Sequence, residues 1–310
     1  MHDYIAQIRD DILLFDSGTS EFSLLLSLYI IIIILASAGS LLVIIVIICS
    51  NHLRTTSNYY IVNLAVSDLL LVLIACPATI THVSSSHWPL SPIPSLCQLA
   101  TFLPLLFSFS STFSICLIAL DRYQLIVHTH NSHYKTVIAM SSMLGCWVLA
   151  SLCASPILPN TRLEIHKLSP KISSLLGIKE RVYCMEDWGF QHGRLYYSLC
   201  VLCIQFMFPS IILIIANTRI YRRLKKMSFW ERRSSNMVEM QPLASPGTVF
   251  RNEELLIGKK RGHRTIYLLL CVVIIFVCSW LPLNILNVLL DLGLYSYLFR
   301  LAFQSILTSI

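Results

Sequence analysis

Residues 23–49 read "SLLLSLYIIIIILASAGSLLVIIVIIC". At ~1.5 Å of rise per residue a helix of this length crosses the ~30 Å of hydrocarbon in a bilayer. The run is too long and too far from the first residue to be a cleaved signal peptide, and reads instead as a signal-anchor. The whole chain has the same character: 55% of its 310 residues are hydrophobic and 13% charged, where a soluble domain carries about 25% charged residues. Mean hydropathy is +0.70. Further apolar runs lie near 59–82, 97–128, 136–158, 195–221 and 265–290, with a seventh over 294–310. Long runs divided by short polar stretches exclude an outer-membrane barrel, whose strands are short and alternating. The expected fold is an all-α membrane protein. It is a single domain over 1–310, a bundle of seven transmembrane helices with the seventh truncated at the C-terminus.

Charge orients the bundle. With the N-terminal segment 1–21 outside, the inside segments are 50–58, 122–136 and 219–264. They hold 15 Lys and Arg: Arg54, Arg122, Lys135 and twelve from Arg219 to Arg264. The outside segments hold the other eight, offset by ten acids. The net charge of +7 is therefore a topology signal and not a nucleic-acid footprint. The expected location is the plasma membrane, multi-pass, with the N-terminus extracellular and the lipid bilayer as partner. The third cytoplasmic loop, 222–262, contains "SSNMVEMQPLASPGTVF", a polar stretch with the composition of a flexible linker.

Of the 11 cysteines, nine lie inside apolar spans and read as small buried hydrophobes. Cys97 starts the third span on its outer end, and Cys184 lies in the outside loop 159–193. Both face an oxidising compartment, so a disulfide between them is expected, tying the loop over the mouth of the bundle. Asp68, in "NLAVSDLL", sits in mid-membrane with Asn63 and Ser67 nearby. An ionisable group at that depth is costly and marks an ion or proton site, or else an acid kept neutral by its neighbours. Pro77, Pro104, Pro156, Pro209 and Pro282 fall within or near the ends of spans, where each removes a backbone donor and favours a kink. Trp280 lies just before Pro282, where the helix can pivot or where the ring simply packs.

The ordered set of motifs resembles a rhodopsin-like (class A) G-protein-coupled receptor. It comprises "NLAVSDLL" in the second span, Trp88, Cys97, "ALDRY" (119–123), Trp147, Pro209 and "CSWLP" (278–282), and the resemblance covers residues 22–292 or so. The resemblance implies that Asp121 pairs with Arg122 at rest. It also implies that an outward movement of the sixth helix, pivoting at Trp280 and Pro282 with Pro209 in the fifth, frees Arg122. Asp121, Arg122 and Tyr123 then meet a heterotrimeric G protein, which similar receptors often take from the inhibitory class. A sodium ion near Asp68 and Ser111 is implied too, with no other cofactor.

Within that family, "DRYQLIV" and "WLPLNILNVLLD" look like receptors for neuropeptide Y, neuropeptide F and RFamide peptides. Pro104 stands where amine receptors carry an aspartate, which argues against an amine ligand. No lysine follows Lys260, which argues against retinal. The implied ligand is an amidated neuropeptide ending in Arg-Phe-amide or Arg-Tyr-amide. Asp291 would pair with its arginine and Asn287, one turn away, would bond the same region. Thr79, Gln205 and Gln304 would line the cavity that takes the aromatic amide. Glu186 and Asp187 would add negative field at the entrance.

The chain departs from the family pattern at Ser40, Thr129 and Asn217, and after Ile310, where an Asn-Pro-x-x-Tyr motif and an eighth helix are expected. An alternative is therefore a truncated, non-signalling isoform or relic, retained in the endoplasmic reticulum and acting through a full-length partner. A transporter would need paired charges or broken half-helices. Enzymatic activity has no supporting constellation: there is no triad, phosphate loop or metal-ligand cluster.

Overall fold

The computed structural model describes residues 20–78, 93–128, 135–167 and 180–238, together with ten positions of the sixth span between 271 and 289. Among the described residues five helical stretches are long and apolar enough to cross a membrane: Leu26–Cys49, Thr56–Ala78, Pro94–Ile126, Val137–Ile157 and Gly193–Lys226. They coincide with the first five runs of the sequence. The described positions of the sixth run are helical, and the seventh lies outside the described residues.

Helix α1 (Ser20–Cys49) is apolar all round. Ile34, Leu35 and Leu42 are more than half exposed, as suits a helix whose surface faces lipid. Its last turn is capped by the Arg54 guanidinium, whose Nε donates to the Ile48 carbonyl at 2.8 Å. Helix α2 (Thr56–Leu70) widens into a π turn, Leu71–Ala75, just before Pro77. The fifth span does the same. Helix α5 (Gly193–Leu202) passes through a π turn, Cys203–Met207, into α6 (Phe208–Val238), which carries Pro209 near its start. A proline has no N–H for the carbonyl four residues back, Leu73 in one case and Gln205 in the other. A wider turn is the local adjustment that absorbs the loss.

Helix α3 (Pro94–Tyr123) opens on a proline, where the missing N–H costs nothing. It keeps Pro104 in its interior without a break and runs on into a π turn, Gln124–His128. It is the most buried of the five spans, at 61% of its apolar stretch against 22% or less in the others. Helix α4 (Lys135–Ala154) ends in a 3₁₀ turn, Ser155–Ile157, built on Pro156. Among the described residues the strands are confined to one hairpin. Strand β1 (Thr161–Lys167) pairs antiparallel with β2 (Glu180–Glu186), in a register that places Leu163 opposite Cys184 and Thr161 opposite Glu186.

The chain divides into two compact units, Met1–Ser114 with Ala139–Gln191, and Ile115–Ile138 with His192–Ile310. In the first, Phe107 meets Trp147 edge to face at 6.3 Å, and Phe109 stacks on Phe113. In the second, Ala119 packs with Leu213, Ala216, Ile220 and Leu224, flanked by Ile115, Tyr123 and Ile126. The α6 members recur at intervals of three and four, which puts them on one face of the helix.

Candidate functional site

At the N-terminal end of α3, Cys97 is bonded to Cys184, with Cα atoms 5.6 Å apart and a sequence separation of 87. Cys97 is fully buried. The bond fixes β2 to α3, as the sequence led one to expect. A second tie runs beside it: the hydroxyls of Thr101 and Thr161 are 3.2 Å apart, and Thr161 Oγ1 donates to the Ile157 carbonyl. The hairpin ends on Glu186, Asp187 and Trp188. Trp188 Nε1 donates to Glu186 Oε2 at 3.2 Å, and its ring meets Phe190 edge to face. The Asp187 amide donates to the Asn160 carbonyl at 2.7 Å, while its exposed carboxylate lies 3.6 Å from Arg162. The two acids therefore differ. Glu186 is half-buried under an indole, and Asp187 is in water with a cation beside it, where such a pair is worth little.

Deeper in the same unit, α3 carries the row Ser108, Ser110, Ser111, Thr112 and Ser114, all buried. Ser111 Oγ donates to Asp68 Oδ1 at 2.7 Å. Ser67 Oγ lies 2.9 Å from Ser110 Oγ. Asn63 Nδ2 donates to Ser114 Oγ at 2.7 Å, and Asn63 Oδ1 accepts from Trp147 Nε1 at 2.9 Å. Tyr60 OH lies 3.0 Å from Ser142 Oγ. Asn63, Ser67 and Tyr60 are one or two turns apart on α2, so one face of that helix meets α3 and α4 through side-chain hydrogen bonds. The bond between Asn63 and Trp147 was legible only as two separate motifs. The signal for the serine row was present in "SFSSTFS" (108–114), of which the sequence argument used Ser111 alone.

Asp68 and Ser111 are hard oxygen donors of the type that hold a sodium ion. Among the described residues no cluster of three or more His, Cys, Asp or Glu could hold a metal ion. The pair offers oxygen atoms alone, the donor type expected for sodium, and lacks the nitrogen and sulfur ligands of a zinc site.

The second unit contains the C-terminal end of α3. Asp121, Arg122 and Tyr123 are half-buried there. Asp121 Oδ2 is buried without a hydrogen-bond partner among the described residues, so an Asp121–Arg122 bond through that oxygen is not formed here. On α6, Asn217 is buried with its Oδ1 unpartnered among the described residues, as is the Ser210 hydroxyl. Gln205, inside the π turn, is 3% exposed, and Pro209 is fully buried four residues on. The remaining expected site residues, Thr79, Trp280, Pro282, Asn287, Asp291 and Gln304, lie outside the described residues.

A family model described as "7 transmembrane receptor (rhodopsin family)" matches residues 39–307. The neuropeptide F receptor of Drosophila melanogaster is 37% identical over 241 residues, covering 77% of this chain and 47% of the relative. The neuropeptide Y receptor type 2 of Homo sapiens is 30% identical over 243 residues, covering 77% of this chain and 56% of the relative. The chain thus spans about half the length of the curated relatives it matches.

Proposed function

The chain belongs to the rhodopsin family of seven-transmembrane receptors, and from that premise we propose that it is a receptor for an amidated neuropeptide, of the Arg-Phe-amide or Arg-Tyr-amide type. In this reading it sits in the plasma membrane with its N-terminus outside and couples to a heterotrimeric G protein of the inhibitory class. The similar receptors are named for neuropeptides F and Y. Family membership places the chain among multi-pass receptors and not among enzymes. The observation that carries the peptide reading is the hairpin bonded to α3, which presents Glu186, Asp187 and Trp188 together beside the Cys97–Cys184 bond.

A peptide whose next-to-last residue is arginine is attracted by the field of Glu186 and Asp187. Asp291 takes the arginine as a bidentate, charge-assisted partner, with Asn287 on the same helix face. Thr79, Gln205 and Gln304 line the space for the terminal amide. Its arrival shifts Trp280, and the sixth helix turns outward about Pro282 with an adjustment at Pro209. Arg122 is then free for the G protein, with Asp121 and Tyr123 around it. Asp68 and Ser111 would hold a sodium ion, which supplies a positive charge that favours the resting arrangement.

The test is a dose–response series with synthetic Arg-Phe-amide and Arg-Tyr-amide peptides on cells expressing the chain. Losing the partner of a desolvated arginine costs roughly 2–5 kcal/mol, so Asp291→Ala should shift the curve by at least about thirtyfold. A curve unmoved by Asp291→Ala would sink the assignment.

A further inference from the structure

We propose that the groove between the last turn of α3 and the first three turns of α6 binds an anionic phospholipid of the cytoplasmic leaflet, with an acyl chain in the groove and the head group on the basic stripe of α6. The proposal rests on the inside-positive orientation given above and is independent of the identity of the peptide.

The groove has a volume of about 240 Å³ and is lined by Leu120, Tyr123, Ile212, Ile215, Ala216 and Arg219. Four of the six are aliphatic, and Arg219 is the one cation of the lining. Its walls are open to the surroundings: Ile215 is 54% exposed and Leu120 39%. The volume is below the ~300 Å³ of a pocket for a compact organic ligand. A narrow, flexible hydrocarbon chain fits such an apolar, open-sided trough, and the bilayer offers one at high concentration.

What selects the head group is the continuation of the same face. On α6 the lining residues Ile212, Ile215, Ala216 and Arg219 are spaced at three, four and seven, so they form a single stripe. The next positions in that stripe are Arg222, Arg223 and Lys226, all exposed. Along one helix face the surface thus changes from aliphatic to basic at Arg219, which is the outline of an amphiphile with a negative head. A planar guanidinium at the boundary can take a phosphate through two parallel bonds. Each Lys or Arg close to an anionic leaflet strengthens such binding about fivefold.

The test uses the full chain in nanodiscs of phosphatidylcholine, without peptide. They are doped with phosphatidylserine carrying a photoactivatable diazirine in its acyl chain, and the labelled peptides are mapped by mass spectrometry. Label should concentrate on 115–126 of α3 and 208–219 of α6, at least about fivefold above that from a phosphatidylcholine probe of the same chain. Arg219→Gln should lower it about fivefold. Ile215→Trp fills the trough from an exposed position and should abolish the acyl label there. Both variants alter exposed side chains, and unchanged melting temperatures would show that they fold. Equal labelling by the two probes, or label spread evenly along the spans, overturns the proposal, because ordinary surrounding lipid behaves that way. An epitope inserted in 239–262 checks the orientation separately. Detection only in permeabilised cells supports the leaflet assigned, and detection on intact cells overturns it whatever the labelling gives.

Discussion

Between Cys97 and Ser114, α3 is joined to its surroundings by a disulfide and a series of side-chain hydrogen bonds, through Thr101, Ser110, Ser111 and Ser114. Between Ile115 and Ile126 the same helix is held chiefly by apolar packing against Leu213, Ala216, Ile220 and Leu224. Polar atoms are present there as well, but Asp121 Oδ2 and Asn217 Oδ1 are buried without partners among the described residues. The first half is not perfect either, since Thr112 Oγ1 has no partner among the described residues. Even so, the balance differs. Satisfied hydrogen-bond networks specify one arrangement, while an orphaned buried group costs stability until a rearrangement or a new neighbour satisfies it. One helix therefore combines a fixed half with a half that gains by changing.

The largest effect is expected at the fixed end. Cys97→Ser or Cys184→Ser releases a loop of 87 residues, worth at most roughly 4–5 kcal/mol by chain entropy. Binding of a labelled peptide to the surface should be lost while the helical circular-dichroism signal persists; full peptide binding without the disulfide would show that the hairpin needs no tether. The sharpest contrast comes from making one substitution in both halves. Asn63→Leu strands Trp147 Nε1 and takes one donor from Ser114 Oγ, which keeps its own bond to the Ser110 carbonyl; it should destabilise by about 2–3 kcal/mol. A cycle with Trp147→Phe should give a coupling of about 0.6–1.7 kcal/mol. Asn217→Leu removes a buried amide oxygen that has no partner among the described residues and should instead stabilise by about 1 kcal/mol, read as a higher melting temperature in detergent. The same sign for both would erase the distinction drawn here. The smallest effect is at Ser111→Ala, which removes one bond to Asp68 and should cost about 0.6 kcal/mol. If sodium binds at Asp68, the same variant should reduce the effect of sodium on peptide affinity.

Hydropathy made the five described spans legible, because in lipid every backbone group must be satisfied inside its own helix and long apolar runs have no alternative. The Cys97–Cys184 pair was legible for a different reason: of eleven cysteines, these two lay outside the apolar interior. The hairpin was not. Its strands, "TRLEIHK" and "ERVYCME", are short, mixed in polarity and separated by residues 168–179, so no period of two stands out. The π turns were hidden as well. Pro77 and Pro209 announced a local disturbance but not whether the helix would bend or widen. The link between Asn63 and Trp147 spans 84 positions, and no pattern within either helix encodes it. The pairing of Asp121 with Arg122 was implied by the resemblance. Neighbours in sequence point about 100° apart around a helix, so adjacency by itself does not bring their charged atoms together.

The wide turn at Cys203–Met207 also sets a phase. A π turn takes one residue more than the turn it replaces and leaves no loop to betray it. Every side chain beyond it is rotated by about 100° relative to an uninterrupted helix. The faces of α5 and α6 therefore obey two separate clocks, offset at Gln205. A helical wheel drawn straight through from Gly193 would assign Ile212, Ala216 and Arg219 to the wrong side. Deleting one residue from 203–207 would restore a single clock, and would turn the buried face of α6 outward without altering any residue on it.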